Sequence, residues 1–101
     1  MLNQTVLVGR IVKDPVIEEM EDRKYCNITL AVPRSFKNAE GIYEEDIIPI
    51  TLYQTIAHNA VDYCKKGDLV GIKGRIQAKE NEIEIVAEKL TFLSSKKVDE
   101  E

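Results

Sequence analysis

KKGDLVGIKGRI, residues 65 to 76, sets three glycines and two isolated basic residues, Lys73 and Arg75, into a run that otherwise reads as a buried strand. Lys65 and Lys66 followed by Gly67 read as the end of a helix, with cations in its last turn and a left-handed stop. Leu69 to Ile76 then reads as a strand. Glycine inside such a strand marks a bend, or a place where another backbone passes close. Gly71 and Gly74 would therefore let this strand curl and bring the helix or the first strand tightly against it. The fold turns on what stands to either side.

Upstream, Thr55 is the expected N-cap of one helix over residues 56 to 66, with Ile56, Ala60, Tyr63 and Cys64 on its apolar stripe. Tyr63 is expected in the core, its hydroxyl at the edge. Before it, residues 43 to 53 alternate: Ile48, Ile50 and Leu52 on one side, Ile47, Pro49, Thr51 and Tyr53 on the other. Pro49 has no N–H to give a ladder, which expects a bulge or free edge there. Residues 25 to 32 alternate likewise, with Cys26, Ile28, Leu30 and Val32 as core, and "PRSFKNAEG" (33 to 41) follows as a turn-rich connection. The first strand is Thr5 to Val12, "TVLVGRIV", bent at Gly9 and stopped by Asp14-Pro15. Downstream, "QAKENE" joins to a last strand, 83 to 93, and "SSKKVDEE" (94 to 101) has no periodicity and is expected to be a mobile polar tail.

Three strands, one helix and two strands, with glycine bends in the first and fourth strands, predict an all-β OB-fold. This is a five-stranded Greek-key β-barrel with one α-helix between strands 3 and 4, spanning residues 1 to 93. At 101 residues the chain has room for one such core. No stretch reaches the length of a membrane span and no signal peptide opens the chain, so a cytoplasmic protein is expected. Cys26 and Cys64 sit among apolar neighbours and read as reduced core residues. His58 has no second histidine, no ligand-spaced cysteine pair and no nucleophile motif beside it, so neither an enzyme, a metal site nor a cofactor is expected. The net charge of −4 does not point to nucleic acid by itself; the charge on individual faces has to decide.

Four segments in order, "MLNQTVLVGRIVKDP" (1 to 15), "NITLAVPRSFKN" (27 to 38), "AHNAVDYCKKGDLVGIKGRIQ" (57 to 77) and "VAEKLTFL" (86 to 93), resemble the OB-fold of bacterial single-stranded DNA-binding proteins. The resemblance implies a homo-oligomer, tetramer or dimer, that holds single-stranded DNA during replication, recombination and repair, associated with the nucleoid. It also implies contacts with other replication or repair proteins. Bases stack on aromatic rings while Lys and Arg follow the phosphates. Phe36 and Tyr53 fall at two of the family's stacking positions, and Ile47 falls where relatives usually carry an aromatic.

Arg10, Lys13, Arg34, Lys37, Lys73, Arg75 and Lys79 flank the first, second and fourth strands and are expected to line one DNA-facing surface. The family's long, aromatic-bearing hairpin between strands 4 and 5 is expected to be short here, and "VDEE" has the charge of the family's partner-recruiting tip without its apolar end. The competing expectation is an OB-fold interaction module, similar to primosomal accessory proteins, that docks on replication proteins and barely touches DNA. A third, an oligosaccharide- or RNA-binding OB domain, has support from the fold alone.

Overall fold

A computed structural model describes residues 1 to 95. Its elements are β1 (Thr5–Ile11), β2 (Glu18–Met20), β3 (Arg23–Lys37), β4 (Tyr43–Tyr53), α1 (Gln54–Tyr63), β5 (Leu69–Lys79) and β6 (Glu82–Ser94). Five strands run β1-β5-β6-β4-β3 around a barrel, which closes where Arg10 and Ile11 of β1 meet Ala31 and Leu30 of β3. Every pairing is antiparallel except β4 with β6, which touch through the parallel pair Thr51↔Val86. This is the expected OB barrel.

The alternation read from the sequence fills it. Cys26, Ile28 and Leu30 from β3, Ile50 and Leu52 from β4, Val70 and Ile72 from β5, and Ala57 and Ala60 from α1 are buried in one cluster. Small alanines on the inward stripe let α1 lie close against β3, β4 and β6. Both thiols are free and buried, and burial is the main reason each stays protonated above its ordinary range.

Two glycines are where the walls come closest. A Cβ on Gly9 would stand 2.7 Å from the carbonyl oxygen of Ala31, and one on Gly74 would run into the carbonyl oxygen of Val86. The close neighbours are thus β3 and β6, not the helix. Gly71 has ordinary room, its nearest neighbour being Leu93 at 3.8 Å.

Several expected boundaries move. β3 runs on to Lys37, so Phe36 sits on a strand rather than in a loop. β5 continues to Lys79, and only Glu80 and Asn81 separate it from β6, Glu80 taking φ 57° to make the turn. A sixth strand, β2, pairs with β3 outside the barrel. The helix begins at Gln54, with Tyr53 at its N-cap and no side-chain cap from Thr55, and it ends at Tyr63. Lys65 and Lys66 therefore lie beyond its last turn. Gly67, at φ 93°, turns the following loop instead of stopping the helix.

That loop is held by carboxylates. Asp14 Oδ1 accepts the Lys66 N–H at 2.8 Å, and the buried Asp68 accepts the Lys65 N–H at 2.9 Å. Tyr63 is 73% exposed and no part of the core, because Val61 and Ile56 supply the helix's partly buried flank. β6 includes Ser94, which the sequence reading assigned to the polar tail; residues 96 to 101 of that expected tail lie outside the described residues.

Candidate nucleic-acid interface

The core-facing alternation of β3 and β4 leaves a second set of side chains on the outer wall: Tyr25, Asn27, Thr29 and Ala31 opposite Tyr53, Thr51, Pro49 and Ile47. Cross-strand partners share a face, so Tyr25 and Tyr53 stand side by side at one end of a low polar floor. On that floor the Thr51 hydroxyl donates to Asn27 at 3.2 Å. The end of β2 and the turn after it rise on one flank, with Met20 and Glu21. The β5–β6 hairpin rises on the other, with Lys79, Glu82, Ile83, Glu84 and Ile85. Together they enclose a groove of about 600 Å³.

Tyr53 is fixed in this groove from two directions. The Arg23 guanidinium lies 5.6 Å from its ring centroid, within cation–π range. Its hydroxyl lies 3.5 Å from Glu84 Oε2, and the Gln77 amide donates to Glu84 Oε1 at 3.1 Å. Tyr25 donates to Glu18 of β2 at 3.4 Å. The groove offers aromatic faces, apolar edges from Met20 and Ile83, and a mixed charge: Arg23 and Lys79 against Glu21, Glu82 and Glu84.

The other end of the ribbon projects past the barrel. Regular pairing stops at Pro33↔Glu45 and resumes at Lys37↔Tyr43, with Phe36 in the irregular stretch and 74% exposed. Phe36 and Tyr53 are therefore not brought together. Phe36 lies eleven positions along β3 from Tyr25, Tyr53's partner, about 35 Å of strand at the usual rise per residue. Lys37 reaches back over the Tyr43 ring at 5.6 Å, and Ile47, 58% exposed, offers only an apolar contact on this wall.

The cations expected on one surface are dispersed. In the closed barrel β5 has β1 and β6 as neighbours and so lies opposite the β3–β4 ribbon. Lys73 and Arg75 of β5 accordingly face away from the groove. Lys73 pairs with Val6 and Lys89, and Arg75 forms an ion pair with Glu88 at 3.2 Å. Arg10, on the outer side of β1, donates to the Gly67 carbonyl at 2.9 Å. Lys13 is exposed in the connection after β1.

Arg34 is occupied. It contacts Asp46 and Glu44, each at 2.8 Å, and Asp46 alternates with Ile47, so the trio lies on the side of the ribbon away from Tyr53. The hydrogen bond from Arg34 holds the Asp46 carboxyl below the usual aspartate range. Of the expected cations, only Lys79 and, at the far end, Lys37 share the aromatic wall.

Arg23 and Tyr25 were not among the expected site residues: Arg23 closes the acidic stretch "EEMEDR" (18 to 23), and Tyr25 reads from the sequence as a sheet-face or rim residue rather than a base platform. A signal was there: Glu18-Glu19-Met20 and Arg23-Lys24-Tyr25 flank a two-residue turn, and opposite charges at Glu19 and Lys24 face each other across it, 3.9 Å apart. His58 is exposed on α1, and among the described residues no three His, Cys, Asp or Glu side chains gather as a metal site would need.

Comparison with known proteins adds the lineage of this arrangement. The model of the single-strand binding protein family matches residues 2 to 93. The chain is 42% identical to single-stranded DNA-binding protein B of Bacillus subtilis (strain 168), over 95% of this chain and 94% of that one. It is 37% identical to single-stranded DNA-binding protein 1 of Clostridium acetobutylicum, over 95% and 97%. With single-stranded DNA-binding protein 1 of Staphylococcus aureus (strain MSSA476) it shares 37% identity, over 99% of this chain and 70% of the relative.

Proposed function

The chain belongs to the single-strand binding protein family, and on that premise we propose that it binds single-stranded DNA along the outer wall of β3 and β4. The observation that carries this reading is the Tyr25–Tyr53 pair on an open groove, since a base of any sequence has a π-face to stack there. Tyr25 and Tyr53 form one stacking platform and Phe36 a second at the arm. Arg23, Lys79 and Lys37 contact phosphates between and beside them. Arg10, Lys13, Lys73 and Arg75 lie off this path and act, where DNA wraps the barrel, as outlying phosphate contacts. The β3–β4 arm gives the strand its length, in keeping with site sizes of about 4 to 16 nucleotides per OB domain.

The protein acts as a homo-oligomer, dimer or tetramer. Val6 and Val8 expose an apolar stripe on β1, continuous with Leu93 beside Gly71, and covering it would shield surface that is otherwise costly to leave in water. Linked protomers also offset the weak single-site attraction that the groove's mixed charge implies. Its role is to cover exposed strands in the bacterial cytoplasm during replication, recombination and repair, alongside the proteins that do that work. Family membership favours this over an interaction module that avoids DNA.

Fluorescence anisotropy with a labelled mixed-sequence single strand, at several salt concentrations, tests it. Arg23, Lys37 and Lys79 predict a log–log salt slope of about −2 per protomer. Loss of binding in the double variant Tyr25→Ala, Tyr53→Ala is expected. Binding indifferent to both tyrosines, or none in low salt, would overturn the site.

A further inference from the structure

We propose that Arg34 is a positioning residue for Phe36: with Glu44, Asp46 and Asn38 it forms a side-chain brace that holds the β3–β4 arm in shape where the backbone ladder is interrupted. The inference rests on the stacking role proposed above for Phe36 and says what presents that ring to a base.

Pro33 pairs with Glu45 and the next pair is Lys37↔Tyr43, so Arg34, Ser35 and Phe36 stand opposite Glu44 alone. Phe36 is exposed and belongs to no part of the buried cluster, so the backbone that carries it sets its position. An exposed backbone released from its ladder is conformationally free unless side chains hold it. Ordering it on binding would subtract from affinity.

The brace grows out of the alternation of β4. Inside the barrel one stripe of that strand is apolar, Ile48, Ile50 and Leu52; past the rim the same stripe continues as Asp46 and Glu44. Arg34 spans both with its planar fork. Nε and Nη2 donate to Asp46, at 3.2 and 2.8 Å, and Nη1 donates to Glu44 Oε1 at 2.8 Å. Glu44 Oε2 accepts the Asn38 amide at 3.2 Å, and Asn38 Oδ1 accepts the N–H groups of Glu40 and Ile42 at the tip, at 2.8 and 3.0 Å. An isolated exposed ion pair contributes little, but a forked arginine tied into a network is the arrangement that counts. The bonds run from β4 to the tip, and the interrupted stretch lies between.

A phosphate-contacting Arg34 and a positioning one differ in the sign of one effect. Removing both carboxylates, in Glu44→Ala with Asp46→Ala, frees the guanidinium and deletes two negative charges, which strengthens attraction to phosphates. It also dismantles the brace. Anisotropy titrations of the full chain with a labelled mixed-sequence single strand compare the wild type, this double variant, Phe36→Ala and the triple variant. The double variant should bind about threefold to tenfold more weakly, the scale of ordering one contact side chain on binding. In the Phe36→Ala background the same two substitutions should cause no further weakening. Amide exchange of residues 37 to 43 should quicken in the double variant while that of the β5–β6 ladder stays as it was.

Tighter binding by the double variant, weakening of equal size with and without Phe36, or unchanged exchange at the arm would each overturn the positioning role and leave DNA binding by the wall intact. Phe36→Ala binding like the wild type would overturn the stacking role of Phe36, and this inference with it.

Discussion

Tyr53 lines the groove with Arg23 over its ring and Glu84 at its hydroxyl. Replacing it with alanine should weaken binding of a mixed-sequence strand by about 1 to 3 kcal/mol in anisotropy titrations, the worth of one stacked base. Tyr53→Phe should keep most of that, because the ring does the stacking.

Arg34 illustrates the opposite case, a cation whose charge is already matched. Its partner Asp46 titrates below its ordinary value of 3.8 in the folded protein. A depressed carboxyl favours the folded state above the unfolded-state value and loses that contribution as pH falls through the folded one. Both groups are exposed, so the effect on stability is small. It should still be visible as an NMR midpoint for Asp46 below 3.8 that rises in Arg34→Ala. Tyr53 stood out through the family resemblance and Lys79 as a cation beside the fourth strand, and both line the groove. Whether an arginine is free or matched depends on who sits across the strand, and that register is absent from a one-dimensional reading.

At the level of elements, the legible part was whatever alternation encodes: Cys26, Ile28 and Leu30 read as core from period two and are buried, and Ile50 and Leu52, set on one side of their strand by the same alternation, are buried with them. Element ends were not legible. The helix takes its first residue from the corner at Gln54, φ 52°, where Thr55 looked like the cap. The acidic stretch before β3 concealed β2, and with it the groove's near flank.

The glycines divide in the same way. Gly74→Ala would force a Cβ against the backbone of β6, which has no side chain to move aside, and should cost about 1 to 3 kcal/mol in urea unfolding. Gly71→Ala meets Leu93, Val8 and the Leu7 carbonyl only at ordinary contact distance and should stay within about 0.5 kcal/mol of the wild type. Sequence marks both as strand glycines; only the neighbouring wall separates them.

Among the described residues the barrel has two outer walls with different chemistry, the aromatic one of β3–β4 and the aliphatic one of β1, with Leu93 of β6 beside it. The double variant Val6→Glu, Val8→Glu should reduce the mass seen by light scattering toward that of one chain while near-native circular dichroism is kept. It should also weaken binding to long strands far more than to short ones, because only long strands profit from linked sites. The five-strand barrel was legible because order, spacing and bends all agree with it. The division of labour between its walls was not, since it arises only when β1 closes onto β3 and turns β5 to the far side.

Besides the two-residue seam of β1 and β3, the barrel has a still thinner join. Where β3 and β4 share a long ladder, β4 and β6 meet through a single bridge, Thr51↔Val86. Such a join is the first to let go in a transient fluctuation, and it lies directly beneath the groove, at a residue that forms part of its floor. Amide hydrogens on either side of it should exchange with deuterium sooner than those of the β5–β6 ladder. A strand of DNA lying over the join would act as a suture, slowing that exchange by tying the ribbon to the hairpin arm.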